Sequence, residues 1–301
     1  MNWLEVSLEV QSELADDIAA ALIPYAAGGV AITSSQIQDD EQSGHITGPL
    51  IIRAYLQNDD GLEDNRARLE QALWYLGRIQ DLPEPVYTWI PDQDWRATWR
   101  KHYKPIAVGK RFLIVPAWES PEIDDRIPIL INPGMAFGTG THPTTRLCLH
   151  AMENILQPGD RVADLGAGSG ILSIAASKSG AAQVHAWDID EKTVPVAKQN
   201  QIINKVEGIQ FAAGSLPDVL ASPDAPYDVV FANILAHVLA KMLSNGLGQI
   251  VRPGGTLILS GILAEQLPPI QEQLEALHFQ QVALLREEEW CAIVTKKLPS
   301  S

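Results

Sequence analysis

Hydrophobic and polar residues alternate from the first positions of the chain. Trp3-Leu4-Glu5-Val6-Ser7-Leu8-Glu9-Val10 has the period of two that marks a half-buried strand. From Ser12 to Ala26 the period lengthens, and Leu14, Ile18, Ala21, Leu22 and Tyr25 fall on one helical face. Gly28-Gly29 stops that helix, and Val30-Ala31-Ile32 begins a second strand. An acidic loop, Asp39-Asp40-Glu41, leads to a third strand over Leu50–Leu56. A second amphipathic helix turns Leu62, Leu69, Leu73 and Leu76 inward, and Val86-Tyr87-Thr88-Trp89-Ile90 closes the segment. Residues 1–90 therefore predict β-α-β-β-α-β, the smaller α+β ferredoxin-like arrangement. That fold hosts many functions and by itself assigns none.

Trp95, Trp99 and Tyr103 follow at helical spacing, with Arg96, Arg100 and Lys104 one residue round. Pro91 and Pro105 bracket them, so residues 91–110 read as a linker helix and a hinge between domains.

From residue 111 to the end the pattern changes to strands separated by helices. Strands are predicted at Phe112–Val115, Arg161–Leu165, Val184–Ile189, Ile209–Ala212, Tyr227–Ala232, Thr256–Leu259, Val282–Leu285 and Cys291–Thr295. Repeated β-α units give a mostly parallel sheet covered by helices on both faces. The last two strands are separated only by Arg286-Glu287-Glu288-Glu289, too short for a parallel crossover, so they form an antiparallel hairpin. This α/β layout is similar to the Rossmann-like sheet of class I methyltransferases.

Composition narrows the classes. At 301 residues two domains are expected, and 46% hydrophobic content supports ordinary globular cores. No apolar run reaches the length of a membrane span, and the first residues lack a secretory signal. The two isolated cysteines, Cys148 and Cys291, argue against a disulfide framework or a zinc site, and a cytoplasmic location is expected. Net charge is -15. Fifteen acids against four bases lie in residues 1–88, whereas six bases and no acid lie in residues 95–111. An acidic first domain repels nucleic acid and attracts a basic protein. The plainer alternative is a solvated surface that keeps the chain soluble.

The chemistry is carried by three strand ends. Asp164-Leu165-Gly166-Ala167-Gly168-Ser169-Gly170 follows an apolar strand and precedes the helix that begins at Ile171. Asp164, Gly166, Gly168 and Gly170 are the cofactor-binding candidates of this loop; the glycines permit positive φ and let a ligand approach the backbone. Ile171 stands where a dinucleotide loop would carry its third glycine, which favours an adenosyl ligand without a pyrophosphate. Asp188 ends the next strand, 22 residues after Gly166, where a carboxylate can accept from two ribose hydroxyls. Asp190, close by, suits a local cap. Asn233 ends the fourth strand and is placed to face a methyl donor as the candidate catalytic residue, with a turn-forming asparagine as its alternative. Ile234 and Leu235 occupy the places where enzymes acting on planar amides and bases carry prolines before an aromatic, so an aliphatic amine is the expected target. A threonine- and glycine-rich run, Asn132–Thr145, precedes a helix beginning near Arg146 and reads as a loop folded against a ligand. His142 within it suits the start of that helix better than a general base.

The run Pro133–Thr145, the loop Asp164–Gly170, Ala232-Asn233-Ile234-Leu235-Ala236 and Glu288-Glu289-Trp290-Cys291 together resemble the bacterial methyltransferases of protein eleven of the large ribosomal subunit. The resemblance spans the chain and is most specific in its second half. It implies a substrate-recognition domain over 1–90 joined by a mobile linker to a catalytic domain over 111–301. It implies S-adenosyl-L-methionine as cofactor, and trimethylation of lysine side chains and of the N-terminal amine of a basic ribosomal protein. Carried over residue by residue, its cofactor contacts are Thr145, Gly166, Asp188 and Asn233. A monomer is expected, with neither direct nucleic-acid binding nor membrane association. A nicotinamide-dependent reductase, a small-molecule methyltransferase and a non-catalytic cofactor sensor are the rival classes.

Overall fold

The computed structural model describes residues 2–10, 14, 18–19, 21–26, 30–34, 50–77, 82–91, 104–120, 125–132 and 138–299. The chain divides into two compact units, Met1–Lys104 and Pro105–Ser301.

In the first unit β1 (Asn2–Val10), β2 (Val30–Ser34), β3 (Leu50–Gln57) and β4 (Val86–Pro91) form one sheet in the order β2-β3-β1-β4. All three neighbouring pairs are antiparallel. This is the strand order of the ferredoxin-like arrangement. The alternation read from the sequence has a direct physical cause. Leu4, Val6, Leu8 and Val10 of β1 point to one face, where they pack on Ile52, Ala54 and Leu56 of β3. Helical residues Ile18 and Leu22, and Leu62, Leu69 and Leu73 of α1 (Leu62–Leu76), cover that face. The stripe Trp95–Tyr103 lies outside the described residues.

The second unit opens with a hairpin that the sequence reading assigned to the linker. Ile106–Val108 is not helical; it is β5, paired antiparallel with β6 (Phe112–Pro116). Gly109 sits at φ 55° in the tight turn between them, a conformation that ends a helix and suits a hairpin. β7 (Ile127–Ile131), also unanticipated, pairs parallel to β6 and completes a three-stranded sheet. Its free edge is met by α4 (Thr193–Ile203) and the residue after it. Asn204 accepts the Leu130 N–H at 2.9 Å and donates its amide to the Leu130 carbonyl at 2.6 Å. Asn200 accepts the Asn132 N–H at 3.1 Å.

The main sheet has seven strands in the order β10-β9-β8-β11-β12-β14-β13. They are β8 (Arg161–Leu165), β9 (Gln183–Asp188), β10 (Ile209–Ala213), β11 (Tyr227–Asn233), β12 (Val251–Leu263), β13 (Phe279–Glu287) and β14 (Trp290–Lys297). The first five strands are parallel and the β12–β14–β13 end is antiparallel, with β13 and β14 joined as a hairpin as their short loop required. Both faces are buried, and alternate residues of one strand serve different cores. Val229 and Phe231 of β11 join the layer of α2 (Pro143–Ile155) and α3 (Ile171–Lys178). Val230 and Ala232 join the layer of α5 (Leu216–Leu220), α6 (Ala236–Ser244) and α7 (Leu267–Ala276). Such strands read as continuous apolar runs. The strand order reverses between β8 and β11, and a crevice at the carboxyl ends of those strands is where open α/β sheets bind ligands.

Candidate functional site

Register places three of the sequence candidates at one level of the sheet. Leu165 of β8 is paired with Ala232 of β11 on one side and with Trp187 of β9 on the other. The next residues of the three strands are Gly166, Asn233 and Asp188. They therefore line the same end of the sheet at the point where the strand order reverses.

The glycine turn is held from below and from the side. Gly166 and Ala167 donate their N–H groups to the Trp187 carbonyl at 2.8 and 3.0 Å. Gly166, Gly168 and Gly170 all have positive φ, at 74°, 52° and 78°. A side chain at position 166 would put its Cβ 2.9 Å from Ile234, so the turn packs against the residue that follows Asn233. Gly170 supplies the left-handed residue from which α3 starts.

Asp188 accepts the Gly168 N–H through Oδ2 at 2.8 Å and the Asp190 N–H through Oδ1 at 3.0 Å. Among the described residues each oxygen keeps a free lone pair. Asp190 is occupied locally, accepting the Lys192 N–H at 2.9 Å before α4. Ile189 lies between them, 83% exposed. Asn233 is half-buried and its side chain makes no hydrogen bond among the described residues.

Asp164 sits beneath the turn rather than on its surface. It is 1% exposed and accepts the Ser173 hydroxyl of α3 at 2.6 Å. Burial pushes its carboxyl up to about 6, opposed by the Ser173 hydrogen bond and reinforced by the Asp188 charge.

The second half of the threonine-rich run folds onto the glycine turn. Ser169 donates its hydroxyl to the Gly138 carbonyl at 2.6 Å. Helix α2 begins at Pro143, three residues before the expected start, because His142 is its N-cap and a proline suits the first helical position. His142 Nδ1 accepts the Thr144 N–H and lies 2.7 Å from the Thr144 hydroxyl, so the imidazole is a cap. Thr145, in the first turn, is 1% exposed, and its hydroxyl has no partner among the described residues.

Several contributors were not read from the sequence. Ser169 and Ser173 tie the turn to its surroundings, and Arg146 pairs with Glu287 of β13. Partners 31 and 141 residues apart leave no periodic trace.

A reversed-order parallel sheet ending in an antiparallel hairpin, with a glycine turn, a ribose-competent carboxylate and an asparagine on three adjacent strand ends, defines a class I S-adenosylmethionine-dependent methyltransferase. The orphaned Thr145 hydroxyl and the open lone pairs of Asp188 suit that cofactor. The profile of the family described as Ribosomal protein L11 methyltransferase (PrmA) matches residues 2–298. The chain belongs to that family. A ribosomal protein L11 methyltransferase of Chloroflexus aurantiacus is 37% identical over 324 residues, covering 98% of each chain. One from Bacillus cytotoxicus is 34% identical over 313 residues, covering 98% of this chain and 99% of the other. The crystal structure of ribosomal protein L11 methylase from Lactobacillus delbrueckii subsp. bulgaricus superimposes with a TM-score of 0.60 at 35% identity, over 65% of this chain and 100% of that one.

Proposed function

We propose that this chain methylates amines of ribosomal protein L11, at lysine side chains and at the N-terminal α-amine, through to trimethylated products. The observation that carries the reading is the alignment of Gly166, Asp188 and Asn233 on one level of the sheet.

When bound, S-adenosylmethionine supplies an electrophilic methyl group on a sulfonium. The chain's own residues do the rest. The glycine turn gives a backbone seat free of side chains. Asp188 would accept ribose hydroxyls with the lone pairs it has left, and exposed Ile189 would offer an apolar contact beside them. The Thr145 hydroxyl would gain the partner it lacks among the described residues. Asn233 would accept a hydrogen bond from the incoming amine, in its unmethylated and monomethylated forms, and so orient it. A dimethylated amine has no N–H left to donate, and the third transfer would rest on the shape of the site.

The amine must be neutral to attack. A lysine of pKa about 10.4 is neutral in only about one part in 2,500 at pH 7. Desolvation at the site lowers that pKa. Alignment then supplies much of the rate. His142 is committed to its cap and is not the base in this reading.

The first unit recognises the substrate. Its residues 1–88 carry 15 acids and four bases, a balance that attracts a basic ribosomal protein and disfavours nucleic acid. The chain acts as a cytoplasmic monomer on that protein.

Incubation with radiolabelled S-adenosylmethionine and separately purified ribosomal proteins tests the reading. Label should enter L11, at lysines and the N-terminus, and mass spectrometry should show trimethylated amines. Label confined to small molecules would favour a small-molecule methyltransferase. Cofactor binding with no label in any acceptor would favour a sensor.

A further inference from the structure

We infer that Arg146 and Glu287 are positioning residues for the cofactor, clamping the terminal hairpin to the first turn of α2. The inference rests on reading that turn as part of the cofactor site.

The hairpin meets the start of α2 directly at two places and is linked to it through β12 at a third. His142 meets the Trp290 ring edge-on, with centroids 4.9 Å apart. Ser260 of β12 places its buried hydroxyl 3.3 Å from the Thr144 carbonyl and 3.2 Å from the Cys291 carbonyl, with one hydrogen to donate between them. Arg146 donates Nε to Glu287 Oε1 at 2.8 Å and Nη2 to the same oxygen, while Nη1 donates to the Thr141 carbonyl. Thr145 lies among these anchors with its hydroxyl buried and unpartnered.

Most ion pairs on a protein surface contribute little. This one differs in what it joins. Its side chains are 23% and 35% exposed, and the guanidinium spans the loop carbonyl, its own helix and the hairpin. That loop is the one whose Gly138 carbonyl receives the Ser169 hydroxyl of the glycine turn. The pair therefore fixes the distance between the hairpin and the seat. It also gives the Glu287–Cys291 tip a role at a site built from the parallel strands.

The test uses the full chain, titrated calorimetrically with S-adenosylmethionine, with thermal melts alongside. Arg146→Gln and Glu287→Gln should each weaken affinity about tenfold, in the range of a lost hydrogen bond to a charged group. The double Gln variant should be no weaker than Arg146→Gln alone, because Glu287 acts only through the guanidinium. The exchanged pair, Arg146→Glu with Glu287→Arg, should recover the share of affinity owed to the ion pair but not the share owed to the Thr141 carbonyl, to which a carboxylate cannot donate. Melting temperatures should stay close to that of the wild type throughout. Unchanged affinity in the single variants overturns the inference. So do losses that simply add, and losses that follow melting temperature alone. Asp188→Ala is measured in parallel. If it weakens binding and the clamp variants do not, the clamp falls and the site reading stands. If it does not, the site reading itself falls.

Discussion

Asp188 holds Gly168: its Oδ2 accepts the glycine N–H at 2.8 Å, so the carboxylate assigned to the ribose also braces the turn beside it. Removing it should cost twice, once in ligand contact and once in the shape of the seat. Asp188→Ala should weaken S-adenosylmethionine binding by about 1.5–3 kcal/mol, the range for hydrogen bonds to a charged group. Asp188→Asn retains an oxygen for Gly168 and should lose less. Equal calorimetric affinity in wild type and folded Asp188→Ala would take Asp188 out of the site.

Asn233 makes no other side-chain hydrogen bond among the described residues, which frees it for the reacting amine. Asn233→Ala should therefore lower the single-turnover methylation rate by a larger factor than it lowers cofactor affinity. A rate equal to wild type would reduce Asn233 to a turn residue.

Asp164 ties stability to pH. The folded carboxyl keeps its proton up to about pH 6, whereas the ordinary value is 3.8. Between those values the folded chain binds more protons than the unfolded one. Stability thus falls as pH rises through this window and stays at the lower level above it. The shift corresponds to about 3 kcal/mol at neutral pH, since each unit is worth about 1.4. Asp164→Asn keeps an acceptor for Ser173 without the buried charge. Urea unfolding should show it more stable than wild type at pH 7.5, with the advantage shrinking at pH 4.5. The same advantage at both pH values would show that the charge is not the cost.

The second unit has its own two core layers and contains every proposed cofactor contact. A chain starting at Pro105 should bind S-adenosylmethionine with near-normal affinity and fail to methylate intact L11. Raising salt should slow association of the full chain with L11, because the Debye length falls from about 8 Å at 0.15 M to about 3 Å at 1 M. Cofactor affinity should barely respond. Normal methylation of L11 by the shortened chain would remove the recognition role from residues 1–104.

Legibility followed the range of the interactions. Leu4, Val6 and Leu8 are visible as a strand because one face of β1 is buried, and period two records that. The glycine turn, Asp188 and Asn233 are visible because each ends a strand and carries a residue type that the chemistry needs. β5 is only three residues behind a proline, and β7 contains Pro128, so neither gave a strand signal. Asp164 and Asn233 look alike in sequence, each a polar residue at a strand end. Only packing shows that the first meets Ser173 below the turn while the second has no side-chain partner among the described residues. The Arg146–Glu287 contact depends on the full course of the sheet between α2 and β13.

The two asparagines against β7 have a consequence beyond this molecule. The last strand of a sheet offers unpaired N–H and C=O groups to any extended chain that meets it. Asn204 presents its side-chain amide to both groups of Leu130, as a neighbouring strand would, and Asn200 takes the next N–H. The edge is thereby closed to strangers by side chains of the same chain. Replacing Asn204 with leucine would preserve bulk but reopen the edge, and the damage would appear as self-association during refolding before it appeared in methyl transfer.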